Sequence, residues 1–173
     1  HLKQRPEAAL INTSSIFGMI VVERQSVYHT AKFAVRGFTE SLAKEMKGGS
    51  VQIHCVHPGH IGTNILGNAR INKSEESANA FQRLMGKLAG IGDDQESMAA
   101  FFEQNGMHPS RAAQIMLNGV LKNRPRILVG TDAKLMDLCQ RLMPIHYDKL
   151  FPFFTVPLTF LRNKKPVVGL PSL

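Results

Sequence analysis

Apolar residues in the first third of the chain alternate between strand-like and helix-like spacing. The run from Ala8 to Asn12 is almost wholly apolar and is typical of a strand that is buried on both faces. The segment Ser26 to Lys47 repeats apolar side chains at helical spacing, with Ser26 as a suitable N-cap and a Gly-Gly pair as a stop. Val51 to Val56 partly alternates and predicts the next strand. This strand–helix–strand order predicts a parallel α/β sheet.

The second half of the chain continues the same alternation. Residues 64–106 hold two amphipathic segments separated by glycines. His108-Pro109-Ser110 predicts the start of a helix that runs to about Leu121, and Arg126 to Val129 predicts a last strand. Residues 132–142 predict a further helix. We therefore expect about three parallel strands, with one edge that a further strand should cover.

The residues with the clearest chemistry lie around the start of the first predicted helix. Tyr28 and Lys32 are four residues apart, so both side chains leave the same face of a helix. Ser15 closes the first predicted strand, and ligands of open α/β sheets bind at the carboxyl ends of strands. A nearby ammonium group makes a phenol a usable proton donor or acceptor, and a serine hydroxyl can hold the reacting oxygen. This trio is suited to interconverting a carbonyl and an alcohol.

Three segments of the chain resemble the second half of the short-chain dehydrogenase/reductase family. They are INTSSIFG, YHTAKFAVRGFTESLAKEM and VHPGHIGTNI, which carry in order a Ser, a Tyr-x-x-x-Lys and a Pro-Gly-x-Ile-x-Thr segment. The Tyr-x-x-x-Lys pair alone is a weak signal, whereas the ordered set of three is a strong one. The resemblance covers Ala8 to about Gly130. It implies an α/β fold in which this chain forms the C-terminal half of a doubly wound, Rossmann-like parallel sheet.

The resemblance also implies a role for each residue of the trio. Tyr28 is the implied general acid/base, Lys32 its activator and a ligand of the nicotinamide ribose, and Ser15 the residue that holds the substrate oxygen. We choose Ser15 over Ser14 because its thirteen-residue step to Tyr28 matches the family. The implied cofactor is NAD or NADP, and the implied substrate is a small carbonyl or alcohol compound.

The segment after the second strand is implied to border the nicotinamide ring. Its residues for this role are Pro58, Gly59, Ile61 and Thr63. Cys55, His57 and His60 could be mistaken for a metal site. However, His60 lies beyond the Pro-Gly break and no fourth ligand is near, so no metal is predicted.

The family's cofactor-binding half precedes the serine, where a Gly-rich turn holds the pyrophosphate. No such turn lies upstream of Ser15, and we expect it to be absent from the chain. The sequence therefore resembles the C-terminal part of a longer enzyme. Residues 1–142 belong to the Rossmann-like domain, with 64–106 as the substrate-covering insert, and 143–173 form a Pro- and Phe-rich tail. The Met and Phe content of the insert suits an apolar substrate, although such residues at helical spacing also form ordinary cores.

The helix from Ser26 to Lys47 bears on assembly. One of its sides carries the small residues Ala34, Gly37 and Ser41 and the nearby Ala43. In the family this helix packs between subunits, so a homo-oligomer is implied, although the small residues could instead face the chain's own sheet. The alternative to an enzyme is a non-catalytic remnant or processed fragment that only folds or oligomerises.

Composition and charge restrict the class of protein and the kinds of partner. The 173 residues are 43% apolar with a net charge of +8, as expected for one globular domain. Lys and Arg are scattered and do not alternate with aromatic residues, so no nucleic-acid partner is predicted. The basic, apolar tail could lie on a membrane interface, but packing on a neighbouring subunit is favoured.

The two cysteines bear on the compartment. Cys55 and Cys139 lie in apolar surroundings and are predicted to be buried free thiols. With no secretory signal and no apolar run of membrane-spanning length, we expect a reducing, cytoplasmic location.

Overall fold

The computed structural model describes residues 1–23, 25–65, 100 and 103–150. In this part of the chain, three parallel strands form one sheet in the order β1-β2-β3. The strands are β1 (Ala8–Thr13), β2 (Val51–Pro58) and β3 (Arg126–Val129), and the helices are α1 (Ser26–Glu45), α2 (Pro109–Leu121) and α3 (Thr131–Leu142). The predicted α/β class and the predicted order of elements are confirmed.

Strand β1 is an edge strand of the described sheet. Its side chains alternate between half-buried and exposed, and Ile11 is 42% exposed. The prediction that Ala8 to Asn12 is buried on both faces is therefore wrong for this chain, because the side chains on one of its faces are exposed. In contrast, the central strand β2 buries most of its side chains. The expectation of about three parallel strands is confirmed for the described residues, among which the outer edge of β1 is unpaired.

Helix α1 connects β1 to β2 and packs a narrow stripe on the sheet. His29 and Thr39 are its buried residues. Ser26 is the first helical residue and not the N-cap as predicted, because the first helical hydrogen bond already runs from the His29 amide to the Gln25 carbonyl at 2.9 Å. The helix ends at Glu45 with Met46 as its C-cap, two residues before the predicted end at Lys47, and Gly48 follows with a φ of +84° that favours glycine.

The opposite face of α1 points away from the sheet. Ala34, Gly37 and Ser41 are exposed, and nothing lies within 4 Å of the position that a Cβ of Gly37 would take. Phe38 on the same helix is 62% exposed. The alternative in which the small residues face the chain's own sheet is therefore wrong for these three, whereas Ala43 is half-buried. The predicted subunit interface stays a prediction.

The apolar core lies on both sides of the described sheet. One cluster joins β2 and β3 to α2 through Val56, Ile127, Val129 and Ala112. A second cluster joins the turn after β1 to α3 and the residues beyond it, and consists of Ile20, Cys139 and Tyr147. Cys55 and Cys139 are buried and free, as predicted. No helix among the described residues is long and apolar enough to cross a membrane.

A chain of ion pairs ties α1 to α3 through β3. Arg126 contacts Glu40 of α1 and Asp137 of α3, each at 2.8 Å. Arg36 extends the chain at the Glu40 end (3.0 Å), and Arg141 extends it at the Asp137 end (2.9 Å). Arg36 also donates to the carbonyl of Gly18 in the turn after β1. The network fixes the helix that carries Tyr28 and Lys32 against the last strand.

Candidate active site

The two adjacent serines after β1 have different partners. Both are buried, at the start of the short 3-10 turn Ile16–Gly18. The Ser14 hydroxyl donates to the backbone carbonyl of Lys32 at 2.8 Å and so ties the turn to α1. The Ser15 hydroxyl accepts from the amide of Phe17 at 3.2 Å. Because a hydroxyl that accepts one hydrogen bond can still donate its proton, Ser15 is able to donate to a substrate oxygen.

Tyr28 and Lys32 lie in the first two turns of α1 and meet as their spacing predicts. The Lys32 ammonium is 5.6 Å from the centroid of the Tyr28 ring. The same ammonium donates to the carbonyl of Thr13, the last residue of β1, at 3.3 Å. Lys32 therefore joins the phenol to the end of β1, where the serines lie. Tyr28 is 38% exposed, so its phenol is accessible from solvent.

Phe17 connects the serine to the tyrosine, and sequence reasoning missed it. Its amide donates to Ser15, and its ring packs edge-to-face on Tyr28 at 6.2 Å. It packs in the same way on His29 at 5.4 Å. Its place two residues after Ser15 could have predicted this contact, since the amide at that position is a frequent partner of a turn-forming serine hydroxyl.

The segment after β2 lies at the same edge of the sheet as Ser15. Pro58 is the last residue of β2, and Ser14 donates its amide to the Val56 carbonyl at 2.8 Å. Ile61 forms a parallel bridge with Met107, and Thr63 donates its amide to the Ile61 carbonyl. Residues 58–63 are all half-buried. The order of elements thus brings this segment next to the serines, with surface left for a ligand.

His57 is a buried link between β2 and the serine turn. Its Nδ1 lies 3.0 Å from the carbonyl oxygen of Ser15, so we assign the ring proton to Nδ1. Burial lowers the pKa of His57, and the hydrogen bond to Ser15 offsets only part of this effect. Burial also lowers the pKa of His29, whose Nε2 faces the Val22 amide at 3.3 Å. Both histidines are therefore held in the neutral form.

The depressed histidine pKa values predict destabilisation by mild acid. An unfolded chain takes up these protons from about pH 6.5 downward, whereas the folded chain does so only at lower pH. The stabilisation is therefore complete above about pH 6.5 and is lost as the pH falls from there toward the folded pKa values. We expect the urea midpoint to fall across that range, and less steeply in His57→Asn, which keeps a donor for Ser15. His146 is exposed, so His146→Asn is the control and is expected to keep the pH dependence of the unaltered protein. A weaker pH dependence in His146→Asn and not in His57→Asn would contradict the role given to the buried His57.

The described residues contain no group of three or more His, Cys, Asp or Glu side chains placed to hold a metal.

The expectation that the chain lacks the glycine spacing of the family's phosphate-binding turn is wrong. The spacing of the family's phosphate-binding turn does occur, as G-K-L-A-G-I-G at residues 86–92. That heptapeptide lies outside the described residues and follows Tyr28 and Lys32 in the chain. A glycine spacing without its strand–turn–helix context does not identify a phosphate site.

Short-chain dehydrogenases are among the solved structures that match this fold. A short-chain dehydrogenase/reductase from Burkholderia phymatum in complex with NAD matches with a TM-score of 0.62 and 17% identity, over 98% of this chain and 54% of that one. A short-chain dehydrogenase from Burkholderia cenocepacia in complex with NADP matches with a TM-score of 0.54 and 16% identity, over 81% of this chain and 47% of that one. At these identities the likeness establishes the fold, a Rossmann-like α/β sheet.

Sequence comparison extends the likeness to the family. A family model described as short chain dehydrogenase matches residues 1–74. The oxidoreductase SadH of Mycobacterium tuberculosis is 38% identical over 154 residues, which are 87% of this chain and 49% of SadH. A 3-ketodihydrosphingosine reductase of Bacteroides thetaiotaomicron is 27% identical over 129 residues, 72% of this chain and 44% of that protein. The chain belongs to the short-chain dehydrogenase/reductase family of oxidoreductases. It spans about half the length of the curated relatives it matches.

Proposed function

We propose that the protein is an NAD- or NADP-dependent oxidoreductase that interconverts a carbonyl and an alcohol, with Tyr28 as the general acid/base. The observation that carries this proposal is the position of Lys32, whose ammonium lies 5.6 Å from the Tyr28 ring and bonds the end of β1. The ammonium thus lies beside the Tyr28 side chain, where it can interact with negative charge that develops there during proton transfer. The phenol can therefore give up a proton to a substrate oxygen and take it back in the reverse direction.

The cofactor proposal rests on the family and on the segment after β2. The two structural relatives described above hold NAD and NADP, which supports a nicotinamide dinucleotide. Pro58, Gly59, Ile61 and Thr63 fit the nicotinamide end, because they are half-buried beside the serine turn. When bound, the nicotinamide supplies or accepts the hydride. Lys32 is additionally proposed to bind the nicotinamide ribose.

The chain's own residues handle the oxygen and the proton. Ser15 donates a hydrogen bond to the carbonyl oxygen and stabilises the negative charge that develops there. Tyr28 delivers the proton to the same oxygen during reduction. Lys32 stabilises the phenolate that remains. Phe17 holds both partners, through its amide on Ser15 and its ring on Tyr28.

An apolar carbonyl or alcohol compound is the proposed substrate class. The half-buried ring of Phe17, which packs on Tyr28, supports it, since this ring offers an apolar surface beside the proposed general acid. The predicted substrate-covering insert, residues 64–106, lies largely outside the described residues, and so does most of the predicted 143–173 tail.

A homo-oligomer that forms through α1 is the proposed assembly. The exposed small residues Ala34, Gly37 and Ser41 and the largely exposed ring of Phe38 support it, because small residues let a second helix approach closely. A cytoplasmic location is also proposed, and the two buried free thiols support it.

The adjacent serines provide the test of this function. The complete gene product is assayed for oxidation of NADH and NADPH with a panel of apolar ketones and aldehydes. Ser15→Ala is expected to lower kcat/KM by about 10²-fold, since it removes a donor to the developing oxyanion. It is also expected to lower stability by about 1 kcal/mol, because the Phe17 amide loses its acceptor. Ser14→Ala is expected to act mainly on stability, by about 1 kcal/mol, because it removes the hydrogen bond to the Lys32 carbonyl.

The outcomes separate the proposal from its alternative. Equal losses of kcat/KM in the two variants would contradict the role of Ser15. Absence of any NAD(P)-dependent turnover in the unaltered gene product would favour the non-catalytic remnant.

A further inference from the structure

Asp132, in the first turn of α3, reaches across to the segment that follows β2. Its Oδ2 accepts a hydrogen bond from the backbone amide of His60 at 2.6 Å. The bond joins residues that are 72 positions apart in the chain. A backbone amide bonded to a carboxylate makes one of the stronger hydrogen bonds available to a protein. This contact therefore fixes the position of His60, between Gly59 and Ile61.

Two glycines make the room that the Asp132 carboxylate occupies. A Cβ on Gly59 would overlap both carboxylate oxygens, and a Cβ on Gly130 would overlap one of them. Gly130 also has a φ of +111°, a backbone conformation that other residues rarely adopt. The carboxylate thus lies in a slot between the end of β2 and the end of β3, and neither wall of the slot can carry a side chain while the carboxylate stays in this position.

The backbone on both sides of His60 is held by further bonds. The Gly59 amide donates to the Val129 carbonyl at 2.8 Å, which extends the pairing of β2 with β3 by one residue. The His60 carbonyl accepts from the Met107 amide at 3.0 Å, and the Gly62 amide donates to the Met107 carbonyl at 2.9 Å. These backbone bonds do not involve the His60 amide, and Asp132 supplies an acceptor for it.

We propose that Asp132 is a positioning residue that holds the Gly59–Ile61 backbone in its functional position by accepting the His60 amide. Through this backbone it positions Ile61 and Thr63, which border the nicotinamide. The effect on cofactor binding rests on the proposed function, whereas the contact itself does not. Asp132 therefore acts through the loop and does not touch the substrate.

Amide hydrogen exchange of the complete gene product, without cofactor, tests the contact directly. Asp132→Ala is expected to raise the exchange rate of the His60 amide about tenfold, the factor that loss of one hydrogen bond to a charged acceptor produces. Asp132→Asn keeps an acceptor oxygen and is expected to restore most of the protection. Thr131→Ala, an exposed neighbour in the same helical turn, is the control and is expected to leave the rate unchanged. An unchanged His60 rate in Asp132→Ala would overturn the proposal.

A double variant tests whether the slot excludes a side chain because of Asp132. Gly59→Ala is expected to lower the urea midpoint, since the new methyl group overlaps the carboxylate. In the Asp132→Ala background the same change is expected to cost much less, because the slot is then empty. An equal cost in both backgrounds would show that another contact excludes the methyl group, and would overturn the proposed packing.

Kinetics test the consequence for the cofactor. Asp132→Ala is expected to raise the KM for the nicotinamide cofactor about tenfold with a smaller change in kcat, because the loop and not the reacting trio is displaced. Asp132→Asn is expected to recover most of the affinity. An unchanged KM together with faster exchange of the His60 amide would refute the positioning role but would still support the hydrogen bond between Asp132 and His60. Failure of the proposed function is distinguishable, because it would abolish turnover in the unaltered protein and leave the exchange result intact.

Discussion

Replacement of Tyr28 by phenylalanine is expected to lower kcat for carbonyl reduction by about 10² to 10⁴-fold, the usual contribution of a general acid. The change removes one hydroxyl and keeps the ring. The contacts of that ring with Phe17 at 6.2 Å and with the Lys32 ammonium at 5.6 Å therefore remain. The urea midpoint is expected to stay close to that of the unaltered protein, since the hydroxyl belongs to an accessible side chain.

The second tyrosine of the chain is the matched control. The Tyr147 hydroxyl accepts a hydrogen bond from the Val21 amide at 2.9 Å inside a buried cluster. Tyr147→Phe is therefore expected to lower stability by about 1 kcal/mol and to leave kcat nearly unchanged. Both variants are measured by NAD(P)H oxidation and by urea unfolding. If Tyr28→Phe retains most of its kcat, Tyr28 is not the general acid.

Substitution of Gly18 by alanine is expected to damage both the site and the fold. The added methyl group would overlap the Ser14 hydroxyl and would lie 2.8 Å from the backbone carbonyl oxygen of Lys32. The serine side chain can rotate, but a helix backbone cannot yield without moving Lys32 and the rest of α1. We expect a loss of about 1–3 kcal/mol in the free energy of unfolding. We expect kcat/KM to fall about 10²-fold, because a displacement of about 1 Å misaligns Lys32 and Tyr28 with the serines.

Gly37→Ala provides the comparison for stability. It lies in α1 with no described atom of the chain within 4 Å of the added methyl group. At protein concentrations low enough to separate the subunits of the proposed oligomer, it is therefore expected to raise the free energy of unfolding by about 0.5–1 kcal/mol. Urea unfolding and steady-state kinetics of both variants check the prediction. A Gly18→Ala protein as stable and as active as the unaltered one would show that the turn and α1 do not pack as described.

Most of the fold follows from local signals in the sequence. The start of α2 is predicted by Pro109, and β3 is predicted by the short apolar run that follows Arg126. Both signals act over only a few residues, so they can be read directly from the sequence. The exposure of Ile11 could not be predicted, because burial of a strand's faces depends on which other elements pack on the sheet. The Tyr28–Lys32 contact was predictable for the opposite reason, since it needs only one turn of a helix.

The contacts that support the site were harder to predict. Asp132 and His60 meet over 72 residues of sequence, and no periodicity identifies such a pair. His57 attracted attention as a possible metal ligand, yet in the structure its Nδ1 contacts the Ser15 carbonyl. A histidine in a strand pattern does not reveal which backbone carbonyl its ring will meet, because that depends on how the strands are aligned.

Arg126 pairs with two carboxylates at once, which restricts the substitutions that this protein can accept. Its guanidinium serves Glu40 and Asp137 at once, and the Asp137 side chain is only 8% exposed. Loss of Arg126 would leave a nearly buried carboxylate with Arg141 as its remaining ion-pair partner in the described chain. Substitutions at these positions are therefore coupled and their energies do not add. Among natural variants, a neutral residue at 126 should accompany neutral residues at both 40 and 137, so that the three positions change as a set.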